Sequence, residues 1–129
     1  MNYFTFNYTN KNGEEKELHL RLSSADAIEI ENTKKVRIIE YLQEESMSMI
    51  ITMLRYMMKC ENKNFSNGQA TQLYDELIDS GMTMKSILID IIYETLVISG
   101  FLEKSDWEEM KATLVAVTKK AKESMHEIV

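Results

Sequence analysis

Asp90 and Glu94 stand four residues apart inside an otherwise apolar run, the spacing that brings two carboxylates onto one helix face. Burial there would raise their pKa values, as acid–base work requires. The sequence places no histidine, lysine or nucleophile to join them, so a narrow polar stripe shared with Ser86, turned to solvent or to another subunit, accounts for them equally well. Glu123 and His126 have the Glu-x-x-His spacing that sets two metal ligands on one helix face, but a carboxylate-bridged centre needs a second copy and further glutamates on facing helices. Neither is present. Cys60, flanked by Lys59 and Glu61, is the single cysteine and cannot form an internal disulfide. With His19 in a strand and His126 near the end of the chain, it has no dyad partner. Glycine-rich phosphate loops, paired-histidine zinc motifs, cysteine clusters and nucleophile elbows do not occur. The expectation is therefore no catalytic, cofactor-binding or metal-binding residue, and no enzyme.

What remains is the chemistry of contact. Met47, Met49, Met53, Met57, Met58, Met82 and Met84 cluster on two segments, and flexible thioethers either fill a core or give a surface that repacks around more than one partner. Met49 and Met53 fall partly off the main stripe of their helix and are the better candidates for exposed contacts. The expected protein-interaction residues are Met47, Met49, Met53 and Met57, together with the row Phe4, Phe6 and Tyr8.

The elements that must position these residues follow from composition and period. The chain has 129 residues, 44% hydrophobic and 28% charged, which suits one globular domain spanning 1–129. Fifteen Lys and Arg against 21 Asp and Glu give a net charge of -6, a field that repels phosphate backbones, so nucleic acid is not an expected partner. No secretory leader pattern and no apolar run near the ~20 residues of a membrane helix is seen, so the chain reads as intracellular and soluble with no membrane partner. The absence of proline and the presence of only four glycines favour helix.

Residues 1–22 are the exception. Phe4, Phe6 and Tyr8 alternate with polar residues, as do Leu18, Leu20 and Leu22, on either side of Asn12-Gly13. A two-residue Asn12-Gly13 turn would pair Phe6 with His19 and put the aromatic and leucine sets on opposite faces. A three-residue loop, Lys11 to Gly13 with Gly13 left-handed in a G1 bulge, pairs Phe4 with Leu20 and Phe6 with Leu18 and unites the two sets. Such a ribbon must lay its apolar face on helices, and its open edges make a homo-oligomer possible.

Residues 23–129 read as a compact bundle of about five to six helices, so the fold class is mainly α with an N-terminal β-hairpin. Ser23 or Ser24 caps a short helix with Ala27 and Ile28 that ends near Asn32-Thr33, and a second piece over about 35–44 buries Val36, Ile39 and Leu42. Ser46 starts a helix with a stripe of Met47, Ile50, Ile51, Leu54, Met57 and Met58. Ser66 and Gln69 form a capping box with Phe65 as staple, and the helix that follows buries Ala70, Leu73, Tyr74, Leu77 and Ile78 before Gly81 stops it. Thr83 caps the next helix, whose run from Ile87 to Ile98 is expected to be the central, most buried one. After Gly100, Ser105-Asp106-Trp107-Glu108 reads as a second capping box, opening a seam of Trp107, Met110, Leu114, Val117, Ala121, Met125 and Ile128.

The hairpin Tyr3-Phe4-Thr5-Phe6-Asn7-Tyr8, the stretch LHLRLSSADA from Leu18 to Ala27, and above all LYDELIDSGMT followed by ILIDIIYETLVISGFLEKSDWEEM resemble the small tail assembly chaperone proteins of long-tailed bacteriophages and prophages of Gram-positive bacteria. The similarity spans nearly the whole chain and rests on packing and capping patterns rather than on catalytic residues. It implies a non-enzymatic, largely helical protein of the bacterial host cytoplasm that binds the tape measure protein, keeps it soluble and recruits tail tube subunits, without remaining in the mature virion. The family also implies a longer product made by translational frameshifting. A small phage-encoded acidic inhibitor or antitoxin-like binding module shares the same acidic, helical character and is the alternative.

Overall fold

The computed structural model describes residues 2–113. Strands β1 (Phe4–Thr9) and β2 (Glu15–Leu20) pair antiparallel with Phe4 opposite Leu20 and Phe6 opposite Leu18. The odd loop is the reason: Asn10 N–H donates to Glu14 O at 2.9 Å, Gly13 N–H donates to Asn10 O at 3.0 Å, and Gly13 takes a φ of 82°. Asn10 is itself buried, and its side-chain oxygen accepts from the N–H groups of Asn12 and Glu14 at 3.0 and 2.9 Å. Leu18 and Leu20 enter the core, with Phe4, Phe6 and Tyr8 half-buried against it.

Beyond the hairpin the chain is helical, and the fold is α+β with the helices predominant. Ser23 Oγ accepts from Asp26 N–H to open α1 (Ser24–Lys34), which ends at Lys35 with φ 57°, a little beyond the expected stop at Asn32-Thr33. Helix α2 (Ile38–Leu42) has no side-chain cap of its own. Instead, Ile38 N–H donates to Glu31 Oε2 of α1 at 3.0 Å. Because the helix begins at 38 rather than 35, the buried stripe is Ile38, Tyr41 and Leu42, while Val36 is only partly buried and Ile39 is 59% exposed. The expected burial of Ile39 is thereby corrected.

Ser46 caps α3 (Met47–Met57) through Met49 N–H at 3.1 Å, and a 3-10 turn (Met58–Cys60) follows. Helix α4 (Asn67–Asp79) has the full capping box, with Ser66 N–H donating to Gln69 Oε1 at 2.9 Å and Gln69 N–H to Ser66 Oγ at 3.1 Å. Thr83 and Ser86 form a second reciprocal box, from which α5 (Met84–Ile87), a π-helical segment (Leu88–Tyr93) and α6 (Glu94–Ile98) run on as one rod. Buried Thr95 donates its hydroxyl to Ile91 O at 2.7 Å inside that rod. Residues 104–113 are helical again. Trp107 N–H donates to Glu103 O at 3.0 Å, so the helix starts ahead of Ser105, which lies in its first turn and is not the expected N-cap. Of the seam beyond, Trp107 is buried and Met110 is 46% exposed; Leu114, Val117, Ala121, Met125 and Ile128 lie outside the described residues, as do Glu123 and His126.

The centre of the core is α3, not the rod from Met84 to Ile98. No residue from Met49 to Met58 is exposed, whereas Asp90 and Ile98 of the rod are. Helix α3 touches α4 on one side and the π segment on another, and Arg21 N–H, just past β2, donates to Met57 O at 3.0 Å.

Candidate protein-binding surface

The methionines meant for contact lie elsewhere. Met49, Met53 and Met57 are fully buried, so the expectation that they form an exposed interaction stripe is corrected. The buried arc of α3 runs through Met49, Ile50, Met53, Leu54, Tyr56 and Met57, while Ser48, Ile51, Thr52 and Arg55 make its more open face, so the stripe is rotated from the expected one. Met47, at the first helical position, is the one that stays open, 53% exposed.

Phe4, Phe6 and Tyr8 form a row with ring centroids 6.4 and 6.3 Å apart, half-buried against the core. Tyr8 is committed further: its hydroxyl donates to Glu76 Oε2 of α4 at 2.7 Å, and Asn10 Nδ2 donates to Glu76 Oε1 at 3.3 Å. Burial, then the bond to Glu76 and its charge, push the Tyr8 phenol well up, while the Tyr8 bond holds the Glu76 carboxyl below its usual range against the opposing effect of burial. This row faces the molecule's own core and α4. Among the described residues no third strand joins β1 and β2.

Asp90 and Glu94 are not a buried acid pair. Asp90 is exposed. Glu94 Oε1 accepts from Trp107 Nε1 and from Lys111 Nζ, both at 2.9 Å, and Trp107 stacks on Tyr93 with centroids 4.7 Å apart. Burial would raise the Glu94 carboxyl, but the bonds from Trp107 and Lys111 outweigh it and hold it low. An acid kept ionised between two donors fastens the 104–113 helix to the rod, which is a structural duty that donors thirteen and seventeen residues away perform and local spacing does not reveal. Cys60 is exposed, and its thiol donates to His19 O at 3.2 Å and to Met57 O at 3.5 Å. Burial of its sulfur and the charge of Glu61 push the thiol up, away from the thiolate a nucleophile needs. Its contact with His19 is to the main chain; the imidazole lies between Glu17 at 3.2 Å and Glu61 at 2.5 Å, against the Tyr3 ring. Among the described residues no group of three or more His, Cys, Asp or Glu converges to hold a metal ion, and no helix is long and apolar enough to cross a membrane.

Three of the concavities on the described surface lie between separate elements. One, between the hairpin and α4, is rimmed by charges of both signs, among them Lys11 and Asp79, which pair at 3.6 Å. A second, of about 440 Å³, lies between α1, α2 and the end of α6 and is floored by Leu42, Leu96 and Phe101. Its rim carries Ile28, 56% exposed, and Ile39, the most exposed large apolar residue described. A third, of about 840 Å³, runs between the π segment, the 104–113 helix and the turn joining α2 to α3. Sequence periodicity missed Ile28 and Ile39 because α1 turns Ala27 and Ile30 inward and α2 turns Ile38, Tyr41 and Leu42 inward, which leaves the intervening isoleucines outside. Comparison with protein-family models, with curated proteins and with solved structures finds no match for the chain.

Proposed function

We propose that this protein is a non-enzymatic tail assembly chaperone of a long-tailed bacteriophage or prophage, acting in the host cytoplasm by covering apolar helices of the tape measure protein until tail tube subunits assemble around it. The observation that carries this reading is the apolar rim of Ile28 and Ile39 over the groove between α1, α2 and α6. Two branched aliphatic side chains held open beside an apolar floor suit the capture of a client helix by its i, i+3, i+4 side chains. The fates of the sequence's chemical candidates support the same reading: Glu94 is tied up between Trp107 and Lys111, and Cys60 is kept as a thiol. The resemblance in the hairpin and in the two long helical stretches names the client.

The test is co-expression with the tape measure protein encoded in the same genome, followed by size-exclusion chromatography with light scattering. Rescue of an otherwise insoluble client in a complex of defined mass is expected, and an Ile28→Asp, Ile39→Asp double variant is expected to fold and to lose the complex. A well-folded chain that never co-elutes with the client overturns the reading.

A further inference from the structure

The third groove has a character of its own. Its floor is Leu88, Ile89 and Tyr93 of the π segment, and Met110 overhangs it from the 104–113 helix. Around this apolar strip, among the described residues, stand the exposed carboxylates of Glu45, Asp106 and Glu109 and the ammonium of Lys85. We propose that this groove binds an amphipathic helix of a partner protein whose aliphatic side chains are flanked by lysine or arginine.

Two independent observations carry this. The first is charge: three carboxylates around an apolar strip, on a chain of net charge -6, admit a basic helix and repel an acidic one, so they set the sign of the partner rather than simply its hydrophobicity. The second is the backbone. A π turn is rare, occurs mostly as a single turn inside an α-helix, and is frequent at functional sites. Here the π segment supplies the whole apolar floor. The groove shares no lining residue with the one rimmed by Ile28 and Ile39, so this surface goes beyond the client site and stands or falls separately.

The structure also supplies the readout. Trp107 is the only tryptophan in the chain and stacks on Tyr93, a floor residue, so an occupied groove alters its emission. Two tryptophan-free synthetic peptides with the same leucine repeat, one flanked by lysines and the other by glutamates, are titrated into the full chain by fluorescence and by calorimetry. The lysine peptide is expected to bind saturably and more weakly as salt is raised; the glutamate peptide is not expected to bind. Glu45→Lys with Glu109→Lys, both at exposed positions, is expected to weaken the lysine peptide about tenfold or more. Met110→Asp, also at an exposed position, is expected to abolish binding, and Ile28→Asp to leave it unchanged. Equal binding of both peptides, or indifference to the two charge reversals, overturns the proposal. So does a full chain that binds neither peptide.

Discussion

Glu76 and Glu94 occupy matching posts at two seams of the molecule. Each sits on a helix, and each accepts one hydrogen bond from an aromatic side chain and one from a nitrogen donor of another element: Tyr8 and Asn10 for Glu76, Trp107 and Lys111 for Glu94. The elements they hold differ in what else holds them. The hairpin brings Leu18 and Leu20 into the core, and the segment after it is tied down by Arg21 N–H to Met57 O and by Leu22 N–H to Ser99 Oγ at 2.9 Å. The 104–113 helix contributes one buried side chain, Trp107, and leaves Met110 open. The hairpin is thus part of the core that α3 organises, and the last described helix is an attachment made at one point. An element fixed by a single aromatic and a carboxylate can open without unfolding the remainder, which suits the wall of a binding groove.

Removal of Trp107 tests that contrast most severely. Trp107→Ala deletes a buried ring, its stack on Tyr93 and its bond to Glu94, a loss of about 3–5 kcal/mol for a core aromatic. Hydrogen exchange is expected to show amides of 104–113 losing protection while those of β1 and β2 keep theirs. Equal loss at both ends would make the molecule one cooperative unit and break the comparison. Leu20→Ala is the counterpart in the hairpin: fully buried, it is expected to cost about 2–5 kcal/mol of global stability, read as a lower denaturant midpoint with an unchanged slope.

The glutamates sharpen the contrast at smaller cost. Glu76→Gln and Glu94→Gln are each expected to lower stability by about 1 kcal/mol, since both carboxylates are half-exposed and water screens their bonds. Added salt separates them. The bond between Lys111 and Glu94 joins two full charges and weakens with ionic strength, whereas the donors to Glu76 are a neutral phenol and a neutral amide. Salt is therefore expected to shrink the Glu94→Gln effect more than that of Glu76→Gln, on which only the more distant charge of Lys16 acts in the same sense. The pH dependence has the same sign at both seams: each carboxyl is held below the ordinary 4.5, so on acidification the unfolded chain takes up the proton first. Their contribution is complete above about 4.5 and is lost as pH falls through the lowered native values. A Glu76→Gln, Glu94→Gln double variant is expected to flatten acid unfolding monitored by circular dichroism.

Local rules carried the reading of the sequence as far as they reach. Strand parity alone placed Phe4 opposite Leu20, and the caps at Ser23, Ser46, Ser66 and Thr83 each lie within three residues of the amides they satisfy. What escaped was non-local. Met49 and Met53 looked like surface because a helix apolar on most sides does not show which arc its neighbours cover, and α2 takes its cap from Glu31 of another helix. Ser105 resembled an N-cap, yet the first carbonyl used by that helix belongs to Glu103. The groove edged by Ile28 and Ile39 is assembled from elements far apart in the chain, and no periodicity within one element encodes it.

The π-helical stretch also acts as a phase setting for everything after it. Hydrogen bonds that reach five residues back advance the chain less per residue around the helix axis than those of an α-helix, so residues four apart, such as Asp90 and Glu94, fall short of a full turn. The direction in which Glu94 points therefore depends on the span of the hydrogen bonds in the stretch before it. The stretch thus sets phase through its hydrogen-bond span while its buried Leu88, Ile91 and Ile92 hold it in the core.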